Sequence, residues 1–169
     1  LHIDNGATFV ASSSATTTIG GSFILDTNAT FTHASGTVVM NATTSGKALS
    51  IAVGEVGAFN LLRFTGASGG WNLTGSITAG DDIQIANGTV TGTANITIPN
   101  GSLYGNGILS LGSGTTTLQR TNTLGGTQPW TLANLVLGNG STVGTTTPGS
   151  NATTTISGRL TLQTGHYLD

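Results

Sequence analysis

The sequence is poor in the charged residues that proteins use to bind charged partners. Only 6% of its 169 residues are charged, against roughly 25% in typical globular domains. With four Lys and Arg residues in total and a net charge of −2, the chain has too little positive charge to neutralise a run of phosphates. This argues against nucleic acid as a partner, and for the same reason against attachment to an anionic membrane surface.

Cysteine, long apolar runs and strong helix formers are also missing or scarce. Without cysteine no disulfide can cross-link the fold, so its stability has to come from backbone hydrogen bonds and packing. No apolar run approaches the ~18 residues of a membrane span, and no charged segment followed by an apolar stretch predicts a signal peptide. Gly or a β-branched residue interrupts almost every window, which argues against helices.

What the chain does contain is a series of short apolar pulses that alternate with polar residues. Hydrophobic residues make up 36% of the sequence, and their regular spacing argues against disorder. Alternation with a period of two is typical of strands that bury one face and expose Thr, Ser or Asn on the other. The alternating pairs are Leu1 and Ile3, Phe23 and Leu25, Ile83 and Ile85, Ile96 and Ile98, Leu109 and Leu111, Leu135 and Leu137, and Leu160 and Leu162.

These short apolar segments recur at intervals that suggest sequence repeats. Residues 1–9 match residues 23–31, which lie 22 positions later, and residues 155–168 match residues 18–31. A Leu-Gly-x-Gly phrase begins at Leu111 and again at Leu137. Repetition every 20–30 residues is typical of a solenoid, in which each unit buries its apolar face against its neighbours.

We therefore predict an all-β fold, a parallel β-helix (β-solenoid) of short strands without significant helix. It would form one domain or segment over residues 1–169, with irregular loops near 57–70 and 118–130, where the pattern breaks. An antiparallel β-sandwich remains the alternative, because Asn-Gly turns between strands such as Asn5-Gly6 also favour hairpins. The residues predicted to point inward are Ile3, Phe9, Phe23, Leu25, Phe31, Val38, Ile83, Ile85, Ile96, Ile98, Leu109, Leu111, Leu135, Leu137, Leu160 and Leu162.

Three segments resemble known repeats. IGGSFILDTNATFTHASGTVVMNATTSG, WNLTGSITAGDDIQIANGTVTG and ISGRLTLQTGHYLD are similar to the Thr/Gly-rich repeats of large bacterial cell-surface proteins and autotransporter-like adhesin passengers. The resemblance implies a right-handed parallel β-helix that serves as an extracellular stalk, adhesin or fibre. It supplies no catalytic motif.

The ionisable residues suggest turns and surface positions more than a catalytic centre. Asp81 and Asp82 form an acidic pair, but adjacent strand residues point to opposite faces, so we interpret the pair as a solvated turn. Asp4 and Asp26 follow equivalent pulses and are interpreted as turn residues that hydrogen-bond backbone N–H groups. The three histidines, which we place on the surface at comparable positions of their repeats, are His2, His33 and His166. We predict no catalytic residue, no metal site and no cofactor.

Two groups of surface residues are candidates for modification or binding. Asn-x-Ser/Thr sequons predict N-glycosylation, which would place their asparagines on the surface of a secreted protein. The sequons are at Asn28, Asn41, Asn72, Asn87, Asn95, Asn100, Asn139 and Asn151. Large aromatic rings could stack on sugars, and the candidates are Trp71, Trp130, Tyr104 and Tyr167.

Together these patterns predict a non-enzymatic structural component of an extracellular or cell-surface fibre. Both ends of the sequence carry core patterning instead of a polar cap, and an uncapped solenoid end exposes unpaired strands. We therefore expect end-to-end stacking, either onto identical subunits or onto covalent repeats of a longer chain. The alternatives are a carbohydrate-binding adhesin passenger and a β-helix enzyme that degrades polysaccharides.

Overall fold

The structure, a computed structural model, describes residues 1–13, 15–149 and 153–169 and contains 24 short β-strands. No helix occurs in these three ranges. Every strand pairing found there is parallel. The predicted all-β parallel β-solenoid is therefore confirmed, and the antiparallel β-sandwich is wrong.

The strands form three faces that the chain visits in turn. Face 1 is an eight-stranded sheet of β1 (His2–Ile3), β4 (Phe23–Leu25), β7 (Lys47–Ile51), β10 (Gly70–Thr74), β13 (Thr89–Gly92), β16 (Ile108–Leu111), β19 (Trp130–Leu132) and β22 (Thr154–Ile156). Face 2 consists of β2 (Thr8–Val10) with β5 (Thr30–Thr32), then β8 (Val56–Phe59), β11 (Ser76–Ala79), β14 (Asn95–Ile98), β17 (Thr115–Leu118), β20 (Asn134–Leu137) and β23 (Leu160–Leu162). Face 3 is an eight-stranded sheet of β3 (Thr16–Ile19), β6 (Thr37–Met40), β9 (Leu61–Phe64), β12 (Ile83–Ile85), β15 (Leu103–Gly105), β18 (Asn122–Gly126), β21 (Gly144–Pro148) and β24 (His166–Leu168).

Three consecutive strands make one coil, and each coil lies beside the one before it. Each face carries one strand per coil, so the 24 strands form eight coils. At the usual strand separation of about 4.8 Å, the stack is about 38 Å long. A residue's neighbours across the ladder thus come from the preceding and following coils, about 20 residues away in sequence.

The ladder register confirms one of the repeat alignments and corrects two others. Ile3 pairs with Leu25 and Phe9 with Phe31, so the offset of 22 residues between the first two coils is right. The match of residues 155–168 with 18–31 is out of phase, since it aligns β23 of face 2 with β4 of face 1. The two Leu-Gly-x-Gly phrases also lie on different faces, because Leu111 ends β16 and Leu137 ends β20.

The core is a stack of aliphatic and aromatic side chains enclosed by the three faces. Most of the residues predicted to point inward are buried: Ile3, Phe23, Leu25, Phe31, Val38, Ile83, Ile85, Ile96, Ile98, Leu109, Leu111, Leu135 and Leu137. Phe9 is only partly buried. Leu160 and Leu162 point to the same side as their ladder partners Leu135 and Leu137, as predicted, but they are 49% and 52% exposed. They lie in the last coil, and no further coil covers them.

Aromatic rings fill the core of the first three coils. Phe23 and Phe31 meet edge to face with ring centroids 5.1 Å apart, and Phe59 lies 5.4 Å from each of them. Phe9 stacks on Phe31 at 6.1 Å. Since β5 and β8 are not joined by a ladder, ring packing connects the second and third coils at this face.

The two segments predicted as irregular loops contain regular coil strands. Residues 57–70 include most of β8 and all of β9, and residues 118–130 include β18. The loops were predicted because glycines interrupt the apolar pattern in these segments. In the structure, glycines lie there because neighbouring atoms leave no room for a Cβ atom. A Cβ at Gly57 would lie 2.6 Å from the Cδ1 atom of Ile51, and one at Gly126 would clash with the backbone of Gly105 in the preceding coil.

Candidate functional sites

Coil stacking brings three ionisable side chains together on the outer surface of the first two coils. The Nε2 atom of His2 lies 3.0 Å from Oδ2 of Asp26 and 3.6 Å from Oδ1 of Asp4. The prediction that both aspartates lie in turns is correct at the backbone level: the carbonyl oxygens of Asp4 and Asp26 accept bonds from the N–H groups of Ala7 and Ala29. Their carboxylates, however, face His2 and not backbone N–H groups as predicted.

Asp81 and Asp82 lie in the bend between β11 and β12, as the sequence indicated. They do not act as a pair, since Asp81 is exposed while Oδ1 of Asp82 accepts a 2.6 Å hydrogen bond from the N–H of Ser102 in the next coil. Burial, followed by the charge of the Asp82 carboxylate, raises the pKa of Tyr104 above its usual value. Asp82 therefore connects two coils through this hydrogen bond.

The two tryptophans cannot serve as stacking platforms for sugars, which corrects the sequence prediction. Trp71 and Trp130 are each only 1% exposed. Both lie in the same inward row of face 1, where Val90 pairs with Trp71 and Leu109 pairs with Trp130. The indole Nε1 of Trp130 donates a 2.8 Å hydrogen bond to the carbonyl of Gly107, whereas Nε1 of Trp71 is buried without a partner. The period-two spacing of Trp71 and Leu73 could have shown that Trp71 faces inward.

The tyrosines remain at the surface. Tyr104 is half-buried on face 3, where its ladder neighbours are Gln84 and Gly125. Tyr167 is 61% exposed in the last coil. Any sugar that stacks on this protein through a predicted aromatic residue would have to use one of these two rings.

The sequon asparagines are accessible. Asn28, Asn41, Asn72, Asn87, Asn95, Asn100 and Asn139 are all exposed, while Asn151 lies outside the described residues. Some of their amides hold neighbouring coils together: Nδ2 of Asn100 donates to the carbonyl of Gly80 at 3.1 Å, and Oδ1 of Asn95 accepts from the N–H of Thr115 at 2.9 Å. Surface position is what N-glycosylation requires, and the modification itself stays a prediction.

The histidines do not occupy comparable positions, contrary to the sequence interpretation. His2 lies on face 1, His33 follows β5 of face 2, and His166 begins β24 of face 3. His166 is also buried, with 4% of its surface exposed, so its predicted surface role is wrong. Its Nε2 atom lies 2.9 Å from the hydroxyl of Thr146, and its Nδ1 atom is buried without a partner.

We expect the stability of the last coils to depend on pH through His166. Burial lowers the pKa of this imidazole below its ordinary value, which is about 6.5 in an unfolded chain. The unfolded state thus binds more protons, so the free energy of unfolding rises with pH. The contribution of His166 is complete above about pH 6.5 and is lost as the pH falls towards the lowered folded-state pKa. Denaturant unfolding of the wild type and of His166→Gln between about pH 5 and pH 8 measures it.

A matched control for this pH dependence is His33→Gln, which changes a half-buried histidine elsewhere. The pH dependence should persist in His33→Gln and shrink in His166→Gln. An identical pH profile for wild type and His166→Gln would contradict the assignment.

The described residues form concave surfaces on face 1 and at the last coils. An open groove of about 460 Å³ on face 1 is lined by Lys47, Trp71, Asn72 and Thr91, among others. A second cavity, of about 320 Å³, lies at the last coils, and its lining is largely apolar: Leu124, Leu135, Thr146, Pro148, Thr154, Ile156, Leu160 and Leu168. The second cavity is the open end of the hydrophobic core.

Over the described residues there is no helix of the length and apolar character needed to cross a membrane. Comparison of the chain with known protein families, with curated proteins and with solved structures finds no match to any of them. The resemblance to bacterial surface repeats therefore stays an expectation drawn from the sequence.

Proposed function

We propose that this β-solenoid is a non-enzymatic structural segment of an extracellular or cell-surface fibre or stalk, in which coils stack end to end. The observation that supports the proposal is the open core at the last coil. Leu135 and Leu137 are 4% and 0% exposed, whereas their ladder partners Leu160 and Leu162 are about half exposed. The four side chains point to the same interior, and only the outer two lack a coil above them.

The occupant that fits this end is another coil of the same design. A further coil would cover the exposed leucines of β23 and fill the apolar cavity beside Ile156 and Leu168. It would also pair with the free edges of β22, β23 and β24, since each edge presents unpaired backbone groups. We propose that this coil is the first coil of an identical subunit or a covalent repeat. A head-to-tail contact of this kind does not close on itself, so it generates a filament.

The rest of the molecule suits a passive role. The outer positions of the strands carry Thr, Ser and Asn, and Thr tolerates both water and the extended backbone. The same ladders and core stacking stabilise every coil. Further coils can therefore be added to the stack through the same kinds of contact.

We expect the segment to associate as its concentration rises, and the double substitution Leu160→Thr and Leu162→Thr to weaken this association at least tenfold. The reason is that threonine keeps the β-propensity of these positions but removes most of the apolar surface that the next coil would cover. Light scattering and sedimentation of purified protein over a wide concentration range measure the effect, and electron microscopy shows whether the assemblies are linear.

The matched control is Val53→Thr with Val143→Thr. Both valines are more exposed than the two leucines and lie outside the strands, Val53 in a turn and Val143 in the loop before β21. The control should associate like the wild type. A wild-type segment that stays monomeric at every concentration would overturn the proposed stacking, and so would equal association of the leucine and control variants.

A further inference from the structure

We propose that His2, Asp4 and Asp26 form a binding site for a divalent transition-metal ion, with Zn²⁺ as the representative ion. The structural role proposed above does not use these residues. One ligand atom from each, an imidazole nitrogen and two carboxylate oxygens, lies within 4.8 Å of the other two. The sequence analysis predicted no metal site, because it interpreted the histidines as surface residues and Asp4 and Asp26 as turn residues.

The distances between the ligand atoms match those around a bound zinc ion. Zinc binds His nitrogen at about 2.0–2.1 Å and carboxylate oxygen at about 2.0–2.2 Å in tetrahedral geometry. Two such ligands are therefore about 3.4 Å apart. The observed separations of Nε2 of His2 from Oδ2 of Asp26 and from Oδ1 of Asp4, 3.0 Å and 3.6 Å, lie on either side of that value.

The fold places the three residues next to one another. His2 and Asp4 are two residues apart on one coil, and the ladder that pairs Ile3 with Leu25 places Asp26 beside Asp4 on the next coil. Each aspartate begins a turn that is closed by a hydrogen bond from the N–H group three residues later to the carbonyl oxygen of the aspartate. The two carboxylates consequently occupy equivalent positions on adjacent coils.

The low charge of the chain makes this grouping notable. The protein has six acidic residues and three histidines in all, and two of the former meet one of the latter here. The donor set also indicates the kind of ion: imidazole favours zinc, copper, iron and nickel over calcium or magnesium, which prefer oxygen ligands alone. With three protein ligands exposed to solvent, water would complete the coordination.

The site predicts a specific binding experiment. Metal-free, untagged protein should bind one Zn²⁺ per chain in a calorimetric titration with zinc chloride. Substituting one ligand by His2→Gln or Asp26→Asn should weaken that binding at least tenfold, since even residues that only orient metal ligands change affinity by 10–100-fold. In NMR spectra, Zn²⁺ should shift the imidazole signals of His2 and leave those of His33 and His166 unchanged. Ca²⁺ should not produce these shifts.

Two further variants separate metal binding from folding. Asp4→Asn removes a ligand whose side chain is 82% exposed and whose loss leaves the His2–Asp26 contact intact, so it should weaken binding without changing the circular-dichroism spectrum. Asp81→Asn, an exposed aspartate outside the site, should bind Zn²⁺ like the wild type. The proposal is overturned if zinc binds with the same affinity to the ligand variants. Absence of one-to-one binding to the wild type would overturn it as well, leaving His2 as a hydrogen-bonded partner of Asp26 alone.

Discussion

Replacing Leu137 by alanine should lower the free energy of unfolding by about 2–5 kcal/mol. Leu137 has no exposed surface and lies in an inward row of face 2 between Leu118 and Leu162 of the adjacent coils. Alanine would leave a cavity in this row, and β-ladders on all three faces prevent the neighbouring coils from collapsing into it. Denaturant unfolding at a protein concentration below that of association measures the loss.

Leu160→Ala is the matched control, because it makes the same chemical change in a residue that is half exposed. Its loss should stay below about 1.5 kcal/mol, since a half-exposed leucine gains only part of the 1.5–3 kcal/mol of full burial. If the two substitutions were equally destabilising in the isolated segment, the last coil would be covered, contrary to the structure.

Replacing Gly126 by alanine should also destabilise the protein, by about 1–3 kcal/mol or more. Gly126 pairs with Gly105 in the preceding coil, and a Cβ at position 126 would clash with the carbonyl oxygen of Gly105. The clash is with backbone, so no change of side-chain rotamer can relieve it. Either the ladder between β15 and β18 opens or the two coils move apart. Thermal unfolding and hydrogen exchange of the β15 and β18 amides would detect both outcomes.

Gly21→Ala provides the comparison for this prediction. A Cβ at Gly21 would meet no atom within 4 Å, and its backbone is not in the left-handed region. There alanine should be neutral or stabilise by about 0.4–1 kcal/mol, because it restricts the unfolded chain. Equal effects of the two substitutions would show that the close approach of Gly126 to Gly105 does not exist.

The sequence alone determined the class of fold and most of the core. Alternation such as Phe23 and Leu25 or Ile83 and Ile85 defines which side of each strand is apolar, because successive strand residues point to opposite faces. The offset of 22 residues between the first two coils could also be recognised in the sequence, since residues 1–9 and 23–31 share the same turn and the same aromatic position. The scarcity of strong helix formers also predicted the absence of helices, and none occurs in the described residues.

Only the tertiary structure decided which face each strand of the later coils occupies. An apolar pair followed by a glycine turn occurs on each of the three faces, so a similar sequence at Leu111 and Leu137 does not reveal which face it occupies. Coil lengths vary as well: Gly70 pairs with Thr89, but Trp130 pairs with Thr154. A sequence comparison has no means of locating these insertions without the ladder register.

Contacts between coils likewise depended on the stacking. The sequence shows His2 and Asp26 as distant residues, and only parallel pairing of β1 with β4 places them 3.0 Å apart. Leu160 and Leu162 have a core pattern identical to that of Leu135 and Leu137, yet they are about half exposed, because no further coil covers them in the last coil. Local sequence therefore determines which way a side chain points, and the stack determines whether it is buried and which residues it meets.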